Sequence, residues 1–296
     1  MSTFHSGFVA LGGRPNVGKS TLLNALIGEK ISIVTPRPQT TRHRVLGIVN
    51  RADAQIVFLD TPGLHSGQGR ALNRSMNRTA AAALADAELI LFVVEALRWT
   101  CEDQLALQRI AATGRPVIAV VNKVDRARPR EKLLPFLAML AQQHAFVELV
   151  PVSALRADNL VPLLDCVVRA LPEGAALFPP EQVTDKGVRF RVAELIREKL
   201  TLELVEELPY GIAVEIEDLK ENEAGQSEVS AIIWVEREGQ KPIVIGAQGE
   251  RLKRIGRQAR VELNELFGQR FHLTLWVKVR EGWADDARAL QRLGME

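Results

Sequence analysis

Cysteine is scarce: the 296 residues hold only Cys101 and Cys166, far apart and with no close cysteine or histidine partner. That excludes a disulfide scaffold, argues against a zinc site and fits a reducing, cytoplasmic setting. No apolar run approaches the roughly 20 residues a membrane span needs. The start, Met1-Ser2-Thr3-Phe4-His5, lacks the charged region and apolar stretch of a signal peptide, so none is expected. An excess of charge of one sign is also missing, since 38 basic against 36 acidic side chains leave a net +2. A polyanion-binding surface would therefore have to arise from local clustering. What is present is a 47 % hydrophobic, 25 % charged composition, typical of folded chains, at a length with room for about two domains.

Short Val/Ile/Leu-rich runs, Phe8 to Leu11, Ile56 to Leu59, Leu89 to Val94, Val117 to Val121 and Phe146 to Val152, read as buried strands of a largely parallel sheet. Helical patterns at Asn77 to Leu84, Asp103 to Ala112, Glu131 to Gln142 and Asn159 to Ala170 supply crossovers, so the first domain is expected to be α/β and doubly wound. Leu171-Pro172-Glu173-Gly174 and Phe178-Pro179-Pro180 break any helix and mark a linker. The expected division is a first domain over 1–172, a linker over 173–183 and a second domain with a C-terminal tail over 184–296. Beyond the linker, Val188, Val192, Leu195 and Ile196 mark a helix, followed by strands at Ala213 to Glu217 and Val229 to Val235, a helix at Leu252 to Phe267 and a strand at Phe271 to Val279. The second domain thus reads as a smaller α+β unit in helix-strand-strand-helix-strand order.

Gly13-Arg14-Pro15-Asn16-Val17-Gly18-Lys19-Ser20-Thr21 follows a strand and opens a helix, as a phosphate-binding P-loop must. Its amides would close around phosphates, Lys19 would reach the β/γ oxygens and Ser20 would take Mg²⁺. Asp60-Thr61-Pro62-Gly63 ends a strand, placing a carboxylate where it can hold Mg²⁺ through water and the Gly63 amide where it can meet a γ-phosphate. Asn122-Lys123-Val124-Asp125 ends the next motif-bearing strand. Asp125 can accept from both the ring N–H and the exocyclic amine of guanine, a pair adenine does not present, so GTP and GDP are the expected nucleotides. Ser153-Ala154-Leu155 matches a further base-binding element, with the Ala154 amide expected at the guanine carbonyl. Leu64 stands where Ras-like enzymes carry a water-orienting glutamine; an aliphatic side chain cannot do that, so slow intrinsic hydrolysis is expected. His65 reads as a solvated switch residue.

In the second domain Gly246-Ala247-Gln248-Gly249 joins an apolar segment to a helix carrying Arg251, Lys253, Arg254, Arg257 and Arg260. A Gly-X-X-Gly loop in this element order lets a single-stranded nucleic-acid backbone approach the main chain. Ala247 and Gln248 bring no cation, so contact would lean on amides and the basic helix. Trp234, Trp276 and Trp283 read as packing residues rather than base-stacking platforms.

The order and spacing of the nucleotide motifs resemble the translation-factor-related GTPases. Together with a type II KH domain, and with Gln39-Thr40-Thr41-Arg42-His43-Arg44, the stretch Val192 to Leu200 and Gly282-Trp283-Ala284-Asp285-Asp286, the chain resembles the Era family of bacterial GTPases over essentially its whole length. The resemblance implies that Thr41, with Thr40 as the alternative, is the switch threonine that joins Mg²⁺ when a γ-phosphate is present. Lys19, Thr41 and Gly63 become the candidate catalytic group, and Asn16 a candidate K⁺ ligand. It further implies binding of the 16S rRNA 3′ end, a role in small (30S) ribosomal subunit assembly and peripheral association with the cytoplasmic membrane. A monomer is expected, as no coiled-coil pattern is present. Two other readings stand beside this one: an RNA-binding module with a structural nucleotide, and a membrane-associated signalling switch whose basic helix meets anionic lipid.

Overall fold

Five strands rich in apolar residues organise the first half of the chain, and runs of that kind are suited to a parallel sheet with helices on both faces. They are β1 (His5–Gly12), β3 (Ala54–Asp60), β4 (Leu89–Glu95), β5 (Val117–Asn122) and β6 (Glu148–Pro151); with β2 (Val45–Asn50) they form one sheet in the order β2-β3-β1-β4-β5-β6. Only β2 is antiparallel to its neighbour. Helices α1 (Lys19–Ile27), α2 (Ala71–Asp86), α3 (Cys101–Ala111), α4 (Leu133–Ala141) and α5 (Leu160–Ala170) complete this part, α5 following the last strand where a crossover was expected. The computed structural model describes residues 3–63, 70–204, 208–223 and 225–294. The chain divides into two units, one of Met1–Ser32, Thr41–Gly67 and Met76–Asp185, the other of Ile33–Thr40, Gln68–Ser75 and Lys186–Glu296.

In the first unit Val57, Ile90, Phe92, Val94, Ile110 and Leu140 share one core. β1 lies between β3 and β4, so the connections leaving this point diverge and open a crevice at the strands' C-terminal ends, where an α/β sheet receives its ligand. The loops at 13–18, 61–63, 123–125 and 152–155 all emerge along that edge.

Between α1 and β3 lies β2, a strand absent from the expected set. Gly47 interrupts its apolar run, and a Cβ there would lie 2.8 Å from Leu23 and 2.9 Å from Ile31. The glycine is required for close approach of α1, which hides the strand pattern from the sequence. Residues 177–185 run along the outer edge of β2: Ile48 N–H donates to the Val183 carbonyl at 2.9 Å, and Leu46 N–H to Asp185 at 3.0 Å. A potentially sticky edge is thereby covered.

The second unit contains α6 (Val188–Glu203), β7 (Ile212–Glu221), β8 (Ser227–Val235), α7 (Lys241–Ile245), α8 (Glu250–Phe267), β9 (Phe271–Val279) and α9 (Ala287–Arg292). β7 pairs antiparallel with β8, and β8 pairs parallel with β9. Val192, Ile196 and Leu200 of α6 and Ile255, Ala259 and Leu263 of α8, spaced four apart, meet Val229, Ala231 and Ile233, spaced two apart, in a single core. The short helix α7 was not expected; Pro242 in its first turn supplies a preset φ. This unit also holds the segment 33–40 on α6. Glu198 accepts from Val34 N–H at 2.9 Å, and Arg197, itself paired with Glu194 at 2.7 Å, donates to the Thr40 carbonyl at 2.5 Å.

The tryptophans divide. Trp283 is buried at 1 % exposure and donates to the Gly211 carbonyl at 3.2 Å, and Trp234 donates to Glu215 at 2.8 Å. Trp276, expected to be a packing residue, is 56 % exposed. It lies on the face of β9 opposite Leu273 and Leu275, so strand alternation turns it away from the helices.

Candidate functional site

The phosphate loop passes from β1 into α1 through Gly18, whose φ of 99° is left-handed and whose absent Cβ leaves room for the Asn122 side chain. Val17 is buried, Thr21 is half-buried inside α1, Pro15 is partly covered, and Asn16 is exposed with φ 63°. Lys19 lies inside the loop, donating to the Gly13 and Arg14 carbonyls at 3.1 and 2.9 Å. Burial lowers its pKa to about 8, against the raising influence of Asp60.

Beside it, Ser20 donates to Asp60 Oδ2 at 2.7 Å and Thr41 Oγ1 stands 2.9 Å from Ser20 Oγ and 3.5 Å from the same carboxylate. Ser32, not anticipated from sequence, adds a second hydroxyl at 2.7 Å. It was missed because an isolated serine in a loop carries no pattern. Burial pushes the Asp60 carboxyl up, opposed by the hydrogen bonds of Ser20 and Ser32 and by the Lys19 charge. Its other oxygen, Oδ1, is buried and accepts no hydrogen bond among the described residues. An orphaned carboxylate oxygen next to two hydroxyls is the hard oxygen donor set that suits Mg²⁺. Of the two threonines, Thr41 faces this cluster. Thr40 instead bonds Thr35 at 2.6 Å and the Arg37 carbonyl at 2.7 Å.

Thr61 is buried and donates to the Leu11 carbonyl at 3.2 Å, which fixes the turn that carries Pro62 and Gly63. A Cβ on Gly63 would meet the Pro15 nitrogen at 2.9 Å, so this turn and the phosphate loop are in close contact. Leu64 and His65 lie outside the described residues.

Asn122 is the hinge of the base-side loops. Its Nδ2 donates to the Val17 carbonyl at 2.9 Å, and its Oδ1 accepts from Lys123 N–H at 2.8 Å and Ala154 N–H at 3.0 Å. The Ala154 amide, expected at a guanine carbonyl, is thus engaged with Asn122 here. Asp125 accepts from Ser153 Oγ at 2.6 Å, which orients its carboxylate. Leu155 is 70 % exposed. Lys123 donates to the Asn16 carbonyl at 2.7 Å and pairs with Glu95 at 3.2 Å. Burial favours the neutral form of Glu95, but the Lys123 and Arg14 charges outweigh it and hold the carboxyl below its ordinary value. Arg14, read from the motif as a nucleotide contact, turns its guanidinium to Asp103 and Glu95. Neither carboxylate was anticipated, because both lie outside the motif.

In the second unit Gly246 (φ 76°), Gln248 (φ 49°) and Gly249 (φ 79°) form the Gly-X-X-Gly turn, with Ala247 and Gln248 exposed. Next to it a groove of about 410 Å³ is lined by Gly249, Leu252, Lys253, Gly256, Arg257 and Arg260 of the loop and α8, and by Leu273 and Leu275 of β9. An apolar floor with a cationic rim suits unstacked bases and their phosphates. Two of the expected basic residues do not line it. Arg251 donates to the Ile243 carbonyl, and Arg254 forms an ion pair with Glu203 at 2.6 Å. The sequence shows the charge run but not which side of the helix each cation reaches.

The fold and the site define a P-loop GTPase domain followed by a KH domain. Residues 8–123 match the 50S ribosome-binding GTPase family and residues 207–284 the KH domain family. The chain is 52 % identical to GTPase Era of Marinobacter nauticus over 98 % of its length and 94 % of that protein. It is 51 % identical to GTPase Era of Azotobacter vinelandii, covering 99 % and 97 %. It superposes with a TM-score of 0.95, at 41 % identity and 99 % of each chain, on Era in complex with MgGDPNP and nucleotides 1506–1542 of 16S ribosomal RNA. The same values hold for a variant of Aquifex aeolicus Era bound to GDP·AlF4⁻. The chain belongs to the Era family of GTPases, and its reaction is the hydrolysis of GTP to GDP and phosphate.

Proposed function

We propose that this protein is a GTP-driven switch that binds the 3′ end of 16S rRNA through its KH domain and assists maturation of the small ribosomal subunit. The observation that carries the proposal is the convergence of Lys19, the Ser20–Thr41–Asp60 cluster and the Asn122–Asp125 loop along one sheet edge, in a chain that also holds a cationic, apolar-floored groove. A relative crystallised with MgGDPNP and 16S rRNA supports it. The G domain over 1–172, the linker over 173–183 and the KH domain over 184–296 are part of the same proposal.

In this reading the amides of 13–18 hold the β-phosphate, Lys19 neutralises the β/γ oxygens and Asp125 selects guanine. Ser20, Thr41 and Asp60 would hold Mg²⁺, which when bound neutralises charge on the β- and γ-oxygens. The Gly63 amide meets the γ-phosphate. When that phosphate leaves, Thr41 and Gly63 lose their partner, and the segments that carry them are released. A K⁺ ion at the exposed Asn16 would add positive charge near the leaving oxygen; a rate unaffected by replacing K⁺ with Na⁺ rules it out. The protein acts in the cytoplasm as a monomer, with peripheral membrane attachment as a further property, tested by sedimentation with anionic liposomes.

The deciding experiment titrates labelled RNA carrying the 16S 3′ end into the protein with GDP or a non-hydrolysable GTP analogue, then follows GTP hydrolysis with and without RNA. Tighter RNA binding with the analogue is expected, and by linkage RNA then tightens the analogue by the same factor. Equal RNA affinities in the two nucleotide states, with hydrolysis unchanged by RNA, would remove the coupled switch.

A further inference from the structure

Arg14 sits in the first variable position of the phosphate loop, yet its side chain is 6 % exposed and engaged by protein groups. Nε donates to the Asp103 carboxylate at 3.0 Å, Nη2 to Glu95 at 3.1 Å and Nη1 to the Pro15 carbonyl at 3.3 Å. Asp103 is held in its own right: it is fully buried in the first turn of α3, where it accepts from Thr100 N–H at 3.0 Å and Thr100 Oγ1 at 2.7 Å. Glu95 terminates β4, and it also receives Lys123, whose ammonium donates to the Asn16 carbonyl. One carboxylate therefore restrains the phosphate loop at residue 14 directly and at residue 16 through the base-side loop.

We infer that Arg14, Glu95 and Asp103 are positioning residues, a buried ionic clamp that presets the phosphate loop and joins it to the base-side loop. The inference rests on the nucleotide-site reading above. A glycine-containing loop loses conformational entropy when it closes on phosphates, and a loop already fixed from behind loses less. Carboxylates standing on a strand end and a helix start give that fixation rigidity. Arginine suits the clamp because its planar guanidinium holds its donors in a rigid fork that spans Asp103, Glu95 and the Pro15 carbonyl, whereas an ammonium is a compact point charge with rotating donors. GDP and GTP share the loop contacts, so the clamp governs affinity for both nucleotides and not the choice between them. It touches no reacting atom.

The test uses the full-length chain, its Glu95→Gln and Arg14→Lys variants and the double variant, titrated with fluorescent GDP and a non-hydrolysable GTP analogue. Each single variant is expected to weaken both nucleotides about tenfold, with their affinity ratio unchanged. Glu95→Gln should raise KM for GTP and leave kcat intact, a split that general destabilisation does not produce. The double variant should lose little more than the worse single one, as for groups acting together. Binding within about twofold of the parent in both single variants, or a Glu95→Gln variant with lowered kcat and unchanged KM, overturns the clamp. A parent protein that binds neither nucleotide would remove the nucleotide-site reading itself, an outcome distinct from normal binding by parent and variants alike.

Discussion

Ser20 Oγ and Thr41 Oγ1 lie 2.9 Å apart, although 20 residues separate them, and both are turned to the same buried carboxylate, Asp60. One hydroxyl belongs to the phosphate loop and the other to the segment proposed to respond to the γ-phosphate. Thr41→Ala should therefore leave GDP affinity in Mg²⁺ within about twofold and lower GTP-analogue affinity about tenfold. Fluorescence titrations with both nucleotides measure the ratio. An unchanged ratio would move the switch role away from Thr41.

The Asp125 carboxylate, oriented by Ser153 Oγ at 2.6 Å, is the acceptor expected to read guanine's two N–H groups. Asp125→Asn replaces one acceptor with an amide donor, which opposes guanine and suits the carbonyl that xanthine carries in place of the exocyclic amine. Guanine-nucleotide affinity should fall about 100-fold or more while xanthine-nucleotide affinity rises. Competition titrations with GDP and XDP test the inversion, and equal losses for both would contradict base reading by this residue.

Lys19, lowered to about 8 by burial, makes nucleotide binding pH-dependent. Phosphate charges next to the amine favour its protonated form and return the pKa toward the ordinary 10.5. Above about pH 8 the free protein has lost that proton and must take it up on binding, so affinity falls as pH rises, by at most about tenfold per unit. Below about pH 7 the amine is charged in both states and this dependence vanishes. GDP affinity measured from pH 6.5 to 9, with proton uptake followed calorimetrically in two buffers, checks the sign. Proton release on binding would refute it.

The groove in the KH unit separates cations that the sequence does not. Lys253 and Arg257 line it, whereas Arg254 is paired with Glu203. Lys253→Gln and Arg257→Gln should each weaken RNA binding across sequences and reduce the slope of log affinity against log salt by about 0.7. Arg254→Gln should leave the slope nearly unchanged. Equal slopes for all three variants would mean that the groove does not carry the backbone contact.

Sequence alone determined the elements whose patterns are local and redundant. The apolar strands β1, β3, β4 and β5, alternating with helical patterns, announce a parallel sheet covered on both faces. The phosphate loop, Asp60 and Asn122–Asp125 are legible because each ends such a strand, and strand ends share one edge. The Gly-X-X-Gly turn and the helix-strand-strand-helix-strand order of apolar patterns pointed to the KH unit in the same way. Tertiary structure decided what depends on approach and direction. β2 was hidden by Gly47, whose meaning lies in the closeness of α1. Thr41 was separated from Thr40 only by which hydroxyl meets Ser20, and Arg14 from a phosphate ligand only by Asp103, 89 residues away. Trp276 and Arg254 were turned outward or paired by the strand and helix faces they occupy. Local periodicity specifies which element a residue joins, but the partner of a hydroxyl or guanidinium is set by groups distant in sequence, and only folding brings those together.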